Sequence, residues 1–149
     1  MRTAAEILAT KPPVFNVIET DAKVIDALQL MSTINLSYLV VMQEGRFAGI
    51  FSEREYSRNV LLKGLSSSTA TVKEVMNTGN PIISPAVTVE KCMQLLHSHK
   101  TRYLVVFDHD VFRGIVTIND VLREAINNKE FVFDHVTMQQ ITELQDKIF

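Results

Sequence analysis

The chain has 149 residues, 46% of them hydrophobic and 21% charged, which is the composition of an ordinary globular domain and excludes an intrinsically disordered chain. Its formal net charge of -2 excludes the broadly basic surface with which proteins bind duplex nucleic acid. The sequence contains neither a signal peptide nor an apolar run of about eighteen residues, so we expect a cytoplasmic protein that does not enter a membrane.

Two short helices are predicted at corresponding places in the chain. The first covers Thr3 to Leu8, which is amphipathic. The second begins at Thr71-Val72-Lys73-Glu74, where a Thr and a Glu three residues later have the spacing of a capping box. Each short helix precedes a longer segment, and the two longer segments are similar to one another.

This similarity is a sequence repeat. When the chain is shifted by 65 positions against itself, residues 17–60 align with residues 82–125 without a gap. The identical run Tyr-Leu-Val-Val begins at Tyr38 in the first copy and at Tyr103 in the second. Self-similarity of this kind indicates two copies of one structural unit.

Each copy predicts the same order of strands and helices. In the first copy, Val17-Ile18 suits a short buried strand, and the helix after it has Val24 and Leu28 on one face. The Tyr-Leu-Val-Val run is typical of a central strand covered on both faces, and the turn at Glu44-Gly45 favours a hairpin. With a second helix after Ser52, the order is β-α-β-β-α.

The two copies define the fold class as α+β, with an α/β-like alternation and each sheet packed on helices. We assign residues 1–64 to the first copy with its leading helix and residues 65–129 to the second copy with its leading helix. The boundary lies in the link from Leu62 to Ala70, whose Gly, Ser and Thr residues are typical of a surface connection.

Residues 130–149 follow the second copy and have no counterpart in the first. Thr137-Met138-Gln139-Gln140 resembles a capping box, and Ile141, Leu144 and Ile148 lie at helical spacing. We therefore predict a C-terminal helical tail. It packs on the rest of the chain or on a second subunit, or its exposed end contacts a partner protein.

The second helix of each copy begins with residues that suit a nucleotide. In the second copy, Gly114 allows close approach of the backbone, the Thr117 hydroxyl and free N–H groups favour phosphate, and Asp120 can accept both ribose hydroxyls. Ser52 and Glu55 hold the corresponding positions in the first copy. Helix capping alone explains the same spacing, and a glycine also suits packing within a strand, so both interpretations stay open.

Arginines are the candidate phosphate ligands, because one helix end compensates a phosphate only in part. The candidates are Arg54, Arg58, Arg102 and Arg123; of these, Arg58 and Arg123 also suit solvated helix positions. If the ligand is a nucleotide, its base would lie against the apolar residues near Ile82 and Ile83. Tyr103, next to Arg102 at the start of the central strand, completes the candidate set.

The sequence does not predict an enzyme or a metal site. Cys92 is the only cysteine and lies on the apolar side of a predicted helix, where it suits a small buried hydrophobe. His97 and His99 are two residues apart and point to different sides of a helix. The chain lacks nucleophile, P-loop and GxGxxG motifs, although a hydrolase site assembled from distant residues is an alternative.

The repeated order resembles tandem CBS domains over about Thr3 to Asn128. The residues that carry the resemblance are Gly49–Glu55 and Gly114–Asp120, and Phe51–Arg58 is similar to the Ser-Glu-Arg-Asp-Tyr segment of stand-alone bacterial members. The resemblance implies a pseudo-twofold Bateman module with two clefts for adenosyl ligands such as AMP, ATP, NAD or S-adenosylmethionine. It also implies a homodimer, since such modules commonly pair.

The family's ligand signature, Gly-apolar-x-Thr/Ser-x-x-Asp, is satisfied by Gly114 to Asp120, whereas Glu55 replaces the Asp in the first copy. Family members often reach the ligand from the position of Arg102. The resemblance thus implies a non-enzymatic regulatory module for energy sensing. It would bind an adenine nucleotide between the copies, require no cofactor and act on an unidentified regulated protein; the alternative is a dimerisation module without a ligand.

Overall fold

The computed structural model describes residues 2–127 together with Gln139, Gln140 and Glu143, which are helical. The apolar stripe predicted for the tail, Ile141, Leu144 and Ile148, lies outside these residues. The chain forms two compact units. The first unit is Val14–Gly79, and the second combines the stretch up to Pro13 with the chain from Asn80 onward.

The elements of the first unit follow the predicted order of the first copy. They are β1 (Val17–Glu19), α2 (Val24–Ile34), β2 (Tyr38–Gln43), β3 (Arg46–Ser52), α3 (Glu53–Glu55), which continues as a π-helix over Tyr56–Leu61, and α4 (Val72–Val75).

The second unit repeats this order around its own sheet. Its elements are α1 (Ala4–Ala9), β4 (Ile82–Ile83), α5 (Val89–Ser98), β5 (Tyr103–Asp108), β6 (Val111–Thr117) and α6 (Ile118–Asn127).

Each unit contains a three-stranded mixed sheet, with strand orders β1-β2-β3 and β4-β5-β6. The first strand is parallel to the central strand and the third is antiparallel to it, so that Val40 lies between Val17 and Ile50. The β-branched central strands are buried, as their apolar sequence predicts. The structure therefore confirms the α+β fold class with two copies of β-α-β-β-α.

The hairpins end in two-residue turns with left-handed backbone. Glu44 and Gly45 have φ angles of 51° and 78°, and His109 in the second copy has 56°. Positive φ at these positions gives a turn whose twist matches that of the strands, which is why the Glu-Gly pair predicted a hairpin.

The leading helices belong to the compact unit of the other copy. Helix α1 packs on the second copy, since Ala4 N–H donates to the Val87 carbonyl at 2.8 Å and Val89 N–H donates to the Arg2 carbonyl at 3.0 Å. Helix α4 packs on the first copy, where Val72 N–H donates to the Ala22 carbonyl at 2.8 Å. Each leading helix thus packs on the copy that it does not precede in the sequence, because a helix pattern shows an apolar face but not the sheet that will cover it.

A separate hydrophobic core lies in each unit, and each core includes residues of the leading helix that packs on that unit. Ala4 and Ile7 of α1 are buried with α5 and α6, and Val72 and Val75 of α4 are buried with α2. Cys92 belongs to the second core, as expected of a small hydrophobe. These contacts fix α1, and the residues that follow it, against the second unit.

Candidate functional site

The N-terminus of α6 is closed by the two residues that the sequence placed at a ligand site. Thr117 N–H donates to Asp120 Oδ2 at 2.9 Å, and Asp120 N–H donates to Thr117 Oγ1 at 3.1 Å. Both residues are buried, with 8% and 7% of their surface exposed. The capping interpretation of this spacing is therefore observed, and any ligand must share these groups with the cap.

The backbone N–H groups at the start of α6, which the sequence predicted to bind phosphate, are hydrogen-bonded within the protein. Ile118 N–H donates to the Arg102 carbonyl at 2.9 Å, in addition to the N–H groups of Thr117 and Asp120. Three N–H groups at this helix start are thus already hydrogen-bonded. An anion here has to be held mainly by cationic side chains, because few backbone donors are left for it.

Two cations contact the Asp120 carboxylate. Lys11 Nζ lies 2.8 Å from Oδ2, and it also donates to the Ile115 carbonyl at 2.8 Å. An Arg123 guanidinium nitrogen lies 3.4 Å from Oδ1. The Lys11 side chain is 22% exposed, whereas that of Arg123 is 63% exposed, so Lys11 is the more firmly enclosed partner.

A pocket of about 400 Å³ lies beside Asp120, between α1 and α6 of the second unit. This volume is within the range of about 300–1,000 Å³ that is usual for small-molecule sites. Arg2 spans one part of the wall by pairing with Glu124 and with Glu6, the latter at 2.8 Å. The lining residues are Arg2, Ile7, Thr10, Asp120, Arg123, Glu124 and Asn127.

The sequence analysis did not identify Lys11, Arg2 or Thr10 as site residues. Lys11 is separated from Asp120 by 109 residues, so no local motif joins them. These residues reach the site because α1 packs on the second copy. A sequence signal existed only in part: Lys11 directly precedes Pro12-Pro13, and a residue before proline is disfavoured in the helical conformation, so the helical pattern ends there.

Arg102 and Tyr103 lie beside Thr117 at the start of β5, whereas Ile82 and Ile83 pair with the middle of that strand. Tyr103 is buried and pairs with Thr117 across the strands, and the Arg102 carbonyl accepts the bond from α6. Ile82 is 67% exposed, but Ile83 is 6% exposed and belongs to the core. The side chain of Ile82 is therefore accessible to a ligand ring, whereas that of Ile83 packs in the hydrophobic core.

Gly114 and Gly49 occupy a β-bulge in each hairpin. Gly114 has a φ of 148°, a conformation that favours glycine, and lies opposite Val106 where the register shifts. At Gly49 a Cβ atom would stand 2.7 Å from the Asn77 carbonyl oxygen. The strand-packing interpretation thus holds for Gly49, whose neighbour Ile50 pairs with Asn77.

The start of α3 in the first copy has a different arrangement. Glu55 Oε1 accepts hydrogen bonds from both Ser52 N–H, at 3.0 Å, and Ser52 Oγ, at 2.5 Å. Glu55 is 6% exposed, and burial raises the pKa of its carboxyl although the bonds from Ser52 act in the opposite direction. The longer Glu side chain thus folds back onto its own cap.

The cations of the first copy are also placed differently. Glu53 N–H donates to the Ser37 carbonyl at 3.3 Å, so Ser37 holds the backbone position that Arg102 holds in the second copy. Arg54 is half-buried beside Glu55, and its charge lowers the pKa of that carboxyl, against the larger effect of burial. Arg58 is exposed on the π-helix, whose wider turn changes its angular position relative to Glu55.

The described residues offer neither a reactive thiol nor a metal-binding cluster. Burial raises the pKa of the Cys92 thiol to about 12, which keeps it protonated at neutral pH. Among residues 2–127, Gln139, Gln140 and Glu143, no three His, Cys, Asp or Glu side chains are grouped to hold a metal ion. The described helices are all too short or too polar to cross a membrane.

Comparison with known proteins identifies the family. The CBS domain model matches residues 4–61 and 72–127. The mitochondrial CBS domain-containing protein CBSX3 of Arabidopsis thaliana is 34% identical over 113 residues, which are 72% of this chain and 55% of that protein. The chain thus spans about half the length of this relative.

Solved structures share the fold. A protein with CBS domains from Burkholderia ambifaria is 31% identical, with a TM-score of 0.78 and coverage of 89% of this chain and 99% of that one. CBSX2, whose structure contains AMP, is 24% identical, with a TM-score of 0.70 and coverage of 85% and 98%. The chain therefore belongs to the CBS domain family and carries two CBS domains in tandem. CBS-pair proteins are regulatory and often bind nucleotides.

Proposed function

We propose that this protein is a non-enzymatic regulatory module that binds an adenosine-containing nucleotide at Asp120. The observation that carries the proposal is the buried Asp120 carboxylate, which lies at a helix start, beside a pocket of about 400 Å³ and in contact with Lys11 and Arg123. A carboxylate is an acceptor for ribose hydroxyls, and cations attract phosphate. The AMP found in CBSX2 supports a ligand of this class.

Each candidate residue has a role in this proposal. Asp120 accepts the ribose hydroxyls, and the Thr117 hydroxyl, whose oxygen already accepts Asp120 N–H, donates its hydrogen to phosphate. The adenine ring lies on the exposed side chain of Ile82, and Arg102 with Tyr103 forms the adjoining end of β5. Gly114 shapes the strand that leads to Thr117.

The first copy is proposed to bind nucleotide weakly or not at all. Both donors on Oε1 of Glu55 come from Ser52 of its own cap, whereas Lys11 can leave Asp120 without opening the cap of α6. Ser37 also stands where the second copy has Arg102. Arg54, half-buried beside Glu55, then offsets the charge of that carboxylate, and Arg58 serves as a surface residue. The expected stoichiometry is one nucleotide per chain.

We propose that the regulatory output acts on a separate, unidentified protein and that two chains pair as a homodimer in the cytoplasm. The hexameric assembly of the related CBS-CP12 protein supports an oligomeric state above the monomer. A role in energy sensing follows if the bound nucleotide is AMP or ATP. The regulatory and energy-sensing proposals rest on nucleotide binding and fall with it, whereas pairing of two chains does not depend on a ligand.

Calorimetric titration tests the binding proposal. AMP, ATP, NAD and S-adenosylmethionine are titrated into the wild-type protein and into Asp120→Ala, with Glu74→Gln as a control at an exposed capping box. We expect micromolar binding of at least one compound, one site per chain, loss of binding in Asp120→Ala and no change in Glu74→Gln. If none of the compounds binds the wild type, the alternative of a ligand-free dimerisation module replaces the proposal.

Incubation with the same compounds tests the absence of catalysis. The protein is expected to leave AMP, ATP and NAD unchanged over hours at saturating concentration. Steady formation of product that scales with protein concentration would show an enzyme instead.

A further inference from the structure

We infer that Lys11 makes the Asp120 site select phosphorylated nucleosides over free nucleosides, an inference that rests on the proposed function. The number of hydrogen bonds that the Asp120 carboxylate can accept limits how many donors bind it at once. Each carboxylate oxygen offers about two lone pairs. Oδ2 of Asp120 already accepts from Thr117 N–H and from Lys11, and Oδ1 accepts from Arg123.

A ribose that donates one hydroxyl to each oxygen of Asp120 finds a lone pair left on Oδ1 beside the bond from Arg123, but none left on Oδ2. Arg123 is mostly exposed and leaves Oδ1 for solvent at little cost. On Oδ2 a third donor exceeds the two lone pairs, and the Thr117 N–H is fixed by the helix cap. Lys11 is therefore the donor that leaves Oδ2.

The displaced ammonium of Lys11 stays at the site. It also donates to the Ile115 carbonyl at 2.8 Å, and its side chain is only 22% exposed. Once its bond to Oδ2 is broken, the largely enclosed ammonium of Lys11 keeps its bond to the Ile115 carbonyl but loses its closest negative charge, which is unfavourable. An anionic group on the ligand restores the compensation, whereas a free nucleoside does not.

The backbone N–H groups at the start of α6 contribute little to binding the phosphate of the ligand. The N–H groups of Thr117, Ile118 and Asp120 are hydrogen-bonded within the protein, so the start of α6 is not an open phosphate cradle. The cation that adjoins the ribose-binding carboxylate most closely is Lys11. The charge that selects the phosphorylated ligand thus comes from a residue of the segment after α1, beside the single hydroxyl that Thr117 offers to the phosphate.

The test compares AMP with adenosine by calorimetry in the wild type, Lys11→Met and Lys91→Met, a control that removes an exposed lysine of the same unit. The wild type and Lys91→Met are expected to prefer AMP. In Lys11→Met the AMP affinity is expected to fall by at least about tenfold, which corresponds to the loss of one charge-assisted hydrogen bond. Adenosine affinity is expected to stay equal or to rise, because Lys11 no longer competes for Oδ2.

Lys11→Gln provides a second variant, since Gln retains a donor for the Ile115 carbonyl without the charge and protects the fold if Lys11→Met is unstable. It is expected to lose the preference for AMP in the same way. If AMP and adenosine affinities fall together in the variants, or neither changes, the inference is wrong. If the wild type binds neither compound nor any other adenosyl ligand, the proposed function itself fails.

Discussion

Lys11 Nζ lies 2.8 Å from Oδ2 of Asp120, although the two residues are separated by 109 positions in the sequence. The contact joins the segment after α1 to the first turn of α6. Because Pro13 ends that segment and Val14 begins the first unit, Lys11 lies three residues before the chain passes from one unit to the other. The Asp120 carboxylate therefore contacts a residue that lies close to the boundary between the two units in the sequence.

This ion pair is expected to stabilise the fold as a coupled unit. Lys11→Met and Asp120→Asn should each lower the free energy of unfolding, and the double variant should lose less than the sum of the two. The expected coupling is about 0.5–3 kcal/mol, as is found for residues in one charge network. Chemical denaturation of the four proteins measures it, and additive losses would show that the pair contributes nothing.

The capping glutamates are expected to give opposite pH dependences. Burial raises the pKa of Glu55 above its ordinary value of 4.5, so the folded state binds the proton more tightly than the unfolded chain. Its effect on stability is most favourable below pH 4.5 and becomes less favourable as pH rises through the raised pKa. Glu55→Gln, which keeps the capping box, should therefore gain stability relative to the wild type as pH rises from 4 to 7.

Glu74 provides the matched control for this prediction. Hydrogen bonds from Thr71 lower the pKa of Glu74, so its contribution is present above the ordinary value of 4.5 and is lost as pH falls through the lowered pKa. Glu74→Gln should lose stability relative to the wild type at pH 7 and approach it at low pH. Thermal unfolding across this pH range tests both variants, and parallel curves for the two would contradict the assignment.

Much of this architecture was accessible from the sequence, because it depends on local patterns. The Tyr-Leu-Val-Val runs predicted the central strands, and Thr71 with Glu74 predicted the capping box that the structure contains. The start of α2 was not accessible in this way: α2 has Lys23 at its N-cap position, and its first N–H groups bond to the backbone of the link, as Val24 N–H does to the Ala70 carbonyl. Local spacing cannot show such a distant acceptor.

The candidate site was predictable only in the part that lies on one segment. Thr117 and Asp120 lie three residues apart, so their spacing was visible. Lys11 and Arg2 depend on which copy covers α1, a choice made by packing between distant segments. The hydrogen bond from Ile118 N–H to the Arg102 carbonyl likewise depends on the pairing of β5 with β6. The sequence therefore indicated a carboxylate and a hydroxyl but not the cations that surround them.

Gly49 is expected to be intolerant of a side chain. A Cβ atom there would lie 2.7 Å from the Asn77 carbonyl oxygen, in the backbone bridge that connects Ile50 to Asn77. Gly49→Ala should lower the free energy of unfolding by about 1–3 kcal/mol, the usual cost of overpacking. At Gly79, where the nearest atom is 3.5 Å from a Cβ, the same substitution should cost much less. Equal effects of the two substitutions in urea unfolding would contradict the packing role.

Cys92 is expected to be unreactive in the folded protein. Its side chain is fully buried in the second core, and burial raises the pKa of the thiol to about 12. A thiol reagent such as dithionitrobenzoate should label the protein only in denaturant, because the thiolate is the reactive form. Fast labelling under native conditions would mean that α5 opens readily or that the thiol is exposed.

The most direct test is a crystal structure of the protein grown with the adenosyl compound that binds it most tightly. We predict that the two ribose hydroxyls bond to the two oxygens of Asp120, with the phosphate close to Lys11 and the adenine on Ile82. A nucleotide bound elsewhere, with the carboxylate of Asp120 still paired to Lys11, would contradict the account.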